Sequence, residues 1–350
     1  MSATDSVRDL RGARTGRGWL PGRPGGASRL LAPPAYRGYQ WPFLGLVLVV
    51  GAVVPEFFGG TYYADGVLNQ ALINAVLALG FYWCFSLGGQ FTFGTFATYA
   101  AGAYFSVWGA NHLGGFWGGF ALAVLVTGAL GALTRLVFFK LGPIYFAIAT
   151  LAVGGLILIV FREWVGFTGG YNGVGHIAIP SFFGTPLNTL HLRYYLMLGV
   201  LGVCLVATVA LIRSPAMRDL VFSRDKRAVA ATAGLKPAFI TLSVFTVGSA
   251  MMGAAGSLYA HNGSFFSLEA FDVGISLNVL LMVLLGGSRS IYGPLIGASL
   301  LVYLPELLRS VQTLSGLIYA GLVLVIIVLF PDGIAGIRVI AERWIRARRS

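Results

Sequence analysis

Acidic residues are scarce: 12 Asp and Glu stand in 350 positions, against 24 Lys and Arg and four His. Glu56, Asp65, Glu163, Glu269, Asp272 and Glu306 sit at one set of ends of long apolar stretches, with Asp219, Asp225 and Asp332 at the other. No stretch carries a carboxylate near its middle. An ionisable group at a bilayer centre costs about 2.5–3.5 kcal/mol on insertion scales, so those that persist there are generally functional. Their absence counts against a carrier running on its own ion relay. The only cysteines, Cys84 and Cys204, lie inside apolar stretches, where a thiol packs as a small hydrophobe, and carry no redox or metal argument. His112, His176, His191 and His261 are scattered, without a pair at metal-ligand spacing or an H-E-x-x-H. Zinc chemistry and a membrane-embedded metalloenzyme lose their basis. No Gly-Lys pair occurs, so the chain lacks the G-x-x-x-x-G-K-[ST] phosphate loop of an ATPase. Neither a metal nor a cofactor is expected.

What the chain has is apolar length, with 57% of its residues hydrophobic. A helix crossing the roughly 30 Å hydrocarbon layer needs about 20 mostly apolar residues, and a lipid-facing segment cannot leave backbone groups unpaired. Ten stretches meet that length, some narrowly: 41–58, 67–87, 91–110, 116–139, 143–165, 192–212, 238–260, 273–287, 294–308 and 314–330. The expectation is an all-α polytopic membrane protein of about ten transmembrane helices.

Basic residues concentrate in cytoplasmic connections, which supplies an orientation. With the N-terminus inside, 21 of the 24 fall on the cytoplasmic side. These are Arg8, Arg11, Arg14, Arg17, Arg23, Arg29 and Arg37, then Arg135, Lys140, Arg213, Arg218, Arg224, Lys226, Arg227, Lys236 and Arg289, and finally Arg338, Arg343, Arg346, Arg348 and Arg349. Only Arg162, Arg193 and Arg309 fall outside. An even number of crossings with both termini cytoplasmic follows. The net charge of +12 requires no nucleic acid, because basic ends and loops are accounted for by topology and anionic lipid. Residues 1–40 have no apolar h-region, so no cleavable signal is expected and the first span serves as its own insertion signal. That tail, rich in Gly, Pro and Arg, reads as a disordered cytoplasmic leader, and Asp5 and Asp9 argue against a transit peptide. Residues 41–336 form the transmembrane domain, and 337–350 a basic cytoplasmic tail.

If such a chain moves a solute, its energy arrives from a separate subunit, with ATP the obvious source. Loop 213–237, RSPAMRDLVFSRDKRAVAATAGLKP, is the longest cytoplasmic connection. Its stretch 225–233 is an Ala-rich helix candidate, closed by Gly234 as a C-cap and stopped by Pro237. Two readings stand: a rigid element passing a push from a partner to the bundle, or a plain topogenic connector. The amides Asn69, Gln70, Asn74 and Asn278 suit hydrogen bonds between helices or ligand contact. Gly88, Gly89, Gly94, Gly286, Gly287 and Gly293 lie beside cytoplasmic span ends, where Gly permits close helix contact, tight turns or broken helices lining a polar path. Gln90, Thr92, Thr150, Thr168 and Asn172 are the polar candidates for a path, with Gly169 and Gly170 beside them.

Several blocks, in order over roughly residues 65–336, resemble the LivM branch of the ABC-transporter permeases for branched-chain amino acids and related solutes. GGQFTFGTFATYAAGAY (88–104) is similar to that family's G-G-Q-x-S-x-G-x-A-x-F-x-x-x-G-A-Y. TLAVGG (150–155) and TGGYNGV (168–174) resemble its T-L-A-F-G-E and L-T-G-G-x-N-G. Arg224, Asp225 and Gly234 match the loop pattern R-[DE]-x(8)-G, and GSAMMGAAGSLYA, LLMVLLGGSRSIYGPLIGA and LPELLR follow. The resemblance implies a ten-helix type II importer subunit in the bacterial inner membrane, paired with a second LivH-like permease, two cytoplasmic ATPase subunits and a periplasmic solute-binding protein. It also implies that loop 213–237, with Arg224, Asp225, Lys226, Arg227 and Gly234, is the ATPase-coupling element. The chain departs from the pattern at Ala231, where many relatives have Glu, and at Thr95, often His. Gly155 and Leu158 replace a frequent Glu and Arg, which leaves urea, short amides and aromatic acids open beside amino acids. An ion-coupled carrier would need a titratable group within a span. A membrane enzyme would need a nucleophile and base, or a metal site, at one depth.

Overall fold

The computed structural model describes residues 40–58, 62–175, 177–182, 185–212 and 237–308, with isolated positions at 320, 321, 323–325, 328, 333 and 334. The N-terminal tail, nearly all of the coupling loop 213–237 including Arg224, Asp225, Lys226, Arg227 and Gly234, most of the tenth stretch and the C-terminal tail lie outside the described residues.

The helices, in chain order, are α1 (Gln40–Phe58), α2 (Tyr62–Tyr82), α3 (Thr95–His112), α4 (Phe116–Val137), α5 (Pro143–Glu163), the single turn α6 (Val165–Thr168), α7 (Leu190–Ile212), α8 (Pro237–Asn262), α9 (Val273–Gly286) and α10 (Gly293–Leu307). Helix α2 runs directly into a π-helical turn, Trp83–Leu87. Among the described residues six helical segments are long and apolar enough to cross a membrane: Asp65–Leu87, Phe116–Val137, Pro143–Glu163, Leu190–Ile212, Thr241–Asn262 and Leu268–Gly286. Proline and glycine set several boundaries. Pro143 and Pro294 occupy first-turn positions, where the missing N–H costs nothing.

Helix α8 is the axis of the fold and packs against α2, α3 and α4. Small residues permit this: a side chain on Gly102 of α3 would collide with the backbone of Gly253, and one on Gly256 with the carbonyl of Tyr99. In lipid, where apolar burial alone draws no two helices together, such backbone approach supplies the attraction. Helices α9 and α10 close on each other the same way, through Gly286, Gly293 and Gly297. The core inside this frame is aromatic, with Phe81, Tyr82, Phe85, Phe96, Tyr104 and Phe271 fully enclosed. By contrast α4 and α5 turn Leu125, Leu133, Ile144, Ile148 and Leu156 outward. An apolar outer face of this kind belongs against lipid or another membrane subunit.

Polar residues knit one end of the bundle. Asn69 donates to the Leu190 carbonyl at 3.1 Å and to Asn262 Oδ1 at 3.2 Å, so this amide links helices. Arg193, one of the three basic residues outside the cytoplasmic set, donates to the carbonyls of Leu187 at 3.0 Å and Asn262 at 2.7 Å. His261 donates from Nδ1 to the Ala178 carbonyl at 2.8 Å, and its Nε2 lies 3.0 Å from Ser106 Oγ, which in turn meets Ser257 Oγ at 2.6 Å. The histidine is thus a fastener between α3, α8 and the 177–182 segment. Two short antiparallel pairings lie on connections: Val174–Gly175 with Phe265–Phe266, and Ser181–Phe182 with Thr185–Pro186.

Candidate functional site

The third apolar stretch, expected to begin at residue 91, becomes helical only at Thr95. Between the π turn and α3, residues 88–94 are irregular backbone that follows directly on the apolar segment Asp65–Leu87 and packs among other helices. Gly94 rests against the backbone of Thr150, seven residues inside α5, and Gly88 against Val244 and Phe245, a similar depth inside α8. At 1.5 Å per residue this places the break roughly 10 Å in from the helix ends. Irregular backbone at membrane depth survives only where protein or a polar cavity satisfies its groups. Here side-chain hydroxyls do so: Phe93 N–H donates to Thr150 Oγ1 at 3.1 Å, and Ser276 Oγ donates to the Phe93 carbonyl at 2.9 Å while accepting Phe96 N–H at 3.1 Å. Gly89, at φ +66°, makes the turn that a side chain would oppose.

This break gathers three of the predicted path residues. Gln90 is buried, with no hydrogen-bond partner for its Oε1 among the described residues. Thr92 accepts Gly94 N–H at 3.3 Å, and Thr92 and Thr150 face a small cavity of about 30 Å³ also lined by Thr98, Thr134 and Ser249. That volume holds about two waters and no solute.

The other predicted residues are elsewhere. Thr168 is fully buried at the far end of α5, donating to the carbonyls of Phe161 and Trp164 and accepting Gly170 N–H at 3.1 Å. Gly169 and Gly170, at φ +71° and +58°, carry the chain through the turn that α6 begins. Asn172 is exposed beyond it. The block TGGYNG therefore builds a turn that seats Val174–Gly175 on Phe265–Phe266. Between Thr150 and Glu163 lie thirteen helical steps, roughly 20 Å. The two groups of candidates do not meet in one pocket.

A larger space lies along the adjoining face of α5. It measures about 610 Å³ and is walled by Leu151, Gly155, Leu158, Ile159 and Arg162 on one side and by residues 268–273 on the other, with Phe96 and Tyr171 completing it. The α5 residues recur at the three- and four-residue spacing of one helix face. Charge enters this groove at Arg162, Glu269 and Asp272, none of which the path candidates included. The guanidinium of Arg162 lies 5.1 Å from the Tyr171 ring centre, and Asp272 Oδ1 accepts Ile275 N–H at 3.3 Å as the N-cap of α9. The usable signal in the sequence was Arg162 itself, a basic residue on the wrong side of the charge distribution. Among the described residues, no group of three His, Cys, Asp or Glu is placed to hold a metal.

The chain was compared with known proteins. A family profile described as the permease component of the branched-chain amino acid transport system matches residues 63–330. The high-affinity branched-chain amino acid transport system permease protein LivM of Escherichia coli K12 is 31% identical over 313 residues, covering 83% of this chain and 73% of that protein. Its namesake from Salmonella typhimurium is 30% identical with the same coverage. No solved structure gives a significant match. Because the match runs through both the broken segment and the groove on α5, it embraces the architecture described above: the chain belongs to the family of branched-chain amino acid transport permeases.

Proposed function

We propose that the chain is one of two membrane subunits of an ABC importer in the bacterial inner membrane, with ten transmembrane helices and both termini cytoplasmic. It pairs with a second, LivH-like permease, is driven by two separate ATPase subunits, and takes its solute from a periplasmic binding protein. The solute is a branched-chain amino acid or a related small polar molecule. What carries this reading is family membership in a chain with neither a phosphate loop nor a mid-span carboxylate, so that its energy has to come from a partner. Loop 213–237, with Arg224, Asp225, Lys226, Arg227 and Gly234, is assigned the ATPase contact on its motif. Gln90, Thr92 and Thr150, at the break, are assigned to the path beside the groove, while Thr168, Gly169, Gly170 and Asn172 shape its outer rim. The uncharged Gly155 and Leu158 on the groove wall support a second reading in which the solute is urea, a short amide or an aromatic acid.

The test is uptake into vesicles holding the assembled importer. With ATP inside, binding protein outside and ion gradients collapsed by an ionophore, leucine should accumulate. Accumulation should stop when the ATPase subunits' catalytic Glu is changed to Gln. Uptake by this chain alone, driven by an imposed ion gradient without ATP, would overturn the importer reading in favour of a secondary carrier.

A further inference from the structure

We infer that the groove between α5 and residues 268–273 holds an α-amino acid in passage, with Arg162 taking its carboxylate, Glu269 its ammonium group, and Leu151 and Leu158 its apolar side chain. The inference rests on the importer reading and assigns the recognition to residues. A volume of about 610 Å³ falls within the span of small-molecule sites, roughly 300–1,000 Å³, and the walls are mostly apolar with a few polar groups, as such sites are.

The charges are arranged for a ligand rather than for each other. Among the described residues no carboxylate lies within 4.0 Å of Arg162, and its guanidinium is instead set against the Tyr171 ring at 5.1 Å. A guanidinium held by its face keeps its N–H edges available for bidentate contact with a carboxylate. The two acids divide their work. Asp272 is engaged as the cap of α9, where the helix N-terminus offsets its charge, whereas Glu269 stands on the adjoining 3-10 turn Leu268–Ala270 and is exposed to the groove. One cation and one uncommitted anion therefore line a mostly apolar groove, which complements a zwitterion carrying a hydrocarbon side chain. A zwitterionic lipid headgroup has the same pair of charges, so the two sources must be separated by experiment.

The experiment uses the complete importer, with its second permease, ATPases and binding protein, in phosphatidylglycerol vesicles with and without phosphatidylethanolamine. Arg162→Gln and Glu269→Gln should each lower kcat/KM for leucine uptake at least tenfold in both membranes, and Arg162→Lys and Glu269→Asp should recover part of it. Co-purification of the partner subunits at wild-type yield establishes that the variants fold. Wild-type uptake by both Gln variants would overturn the site while leaving the importer reading intact. Loss confined to vesicles containing phosphatidylethanolamine would overturn it in favour of a bound lipid. Absence of ATP-driven uptake by the wild-type importer would overturn the importer reading, and this one with it.

Discussion

Ser276 does the work that a local N-cap does elsewhere. Gly94, the residue preceding α3, has no side chain with which to cap it, and the orphan Phe96 N–H is taken by a hydroxyl 180 residues away in sequence. The same oxygen donates to the Phe93 carbonyl, so one side chain satisfies both sides of the helix break. Ser276→Ala should leave the buried Phe96 N–H unpaired, at a cost of about 1–3 kcal/mol, and strand the partly buried Phe93 carbonyl as well. Thermal unfolding of the detergent-solubilised subunit should register the loss, and uptake should fall with it. Ser276→Thr keeps the hydroxyl and should recover most of the stability. An unchanged melting temperature for the Ala variant would mean that water replaces the clamp.

At the scale of elements, helix contact is set by what is missing from the side chains. Helices α3 and α8 meet backbone to backbone at Gly102 and Gly253, where neither partner can swing aside. Gly102→Val should therefore force the helices apart, at about 3 kcal/mol, the upper end of ordinary overpacking costs, before any loss of partner contacts is counted. Gly199→Ala on α7 is the matched control, since nothing lies within 4 Å of the added methyl, and it should be neutral or slightly stabilising. Folded yield and gel-filtration profile of the two variants decide the matter. Equal yields would show that α3 and α8 can repack.

For the molecule as a whole, the charge distribution implies a definite sidedness for this permease component, which is not itself an enzyme. Asn172 lies exposed beyond α6, on a segment assigned to the outside, and Lys226 lies in the loop assigned to the cytoplasm. In a background with Cys84 and Cys204 replaced, Asn172→Cys should react with a membrane-impermeant maleimide on intact spheroplasts and Lys226→Cys should not. Reaction at Lys226→Cys in sealed cells would reverse the orientation.

Class, helical content and the bounds of most apolar helices were legible in the sequence, because twenty apolar residues in a row have few alternatives once lipid is the solvent. Asn69, read as suited to hydrogen bonds between helices, makes them, and the blocks around Gly88, Thr150 and Thr168 carried the family. What the sequence could not supply was partners. Residues 88–94 follow the end of an apolar segment, and the hydroxyls that take their backbone groups, on Thr150 and Ser276, come from helices distant in the chain. Thr168 looked like a path residue, yet its hydroxyl is consumed by the carbonyls of its own turn. Arg162 and Glu269, more than 100 positions apart, become neighbours in one groove only when residues 268–273 fold back against α5. Apolar length is a local property of the chain, whereas the pairing of polar groups in a low-dielectric interior is settled between segments, and so it was decided by the tertiary structure.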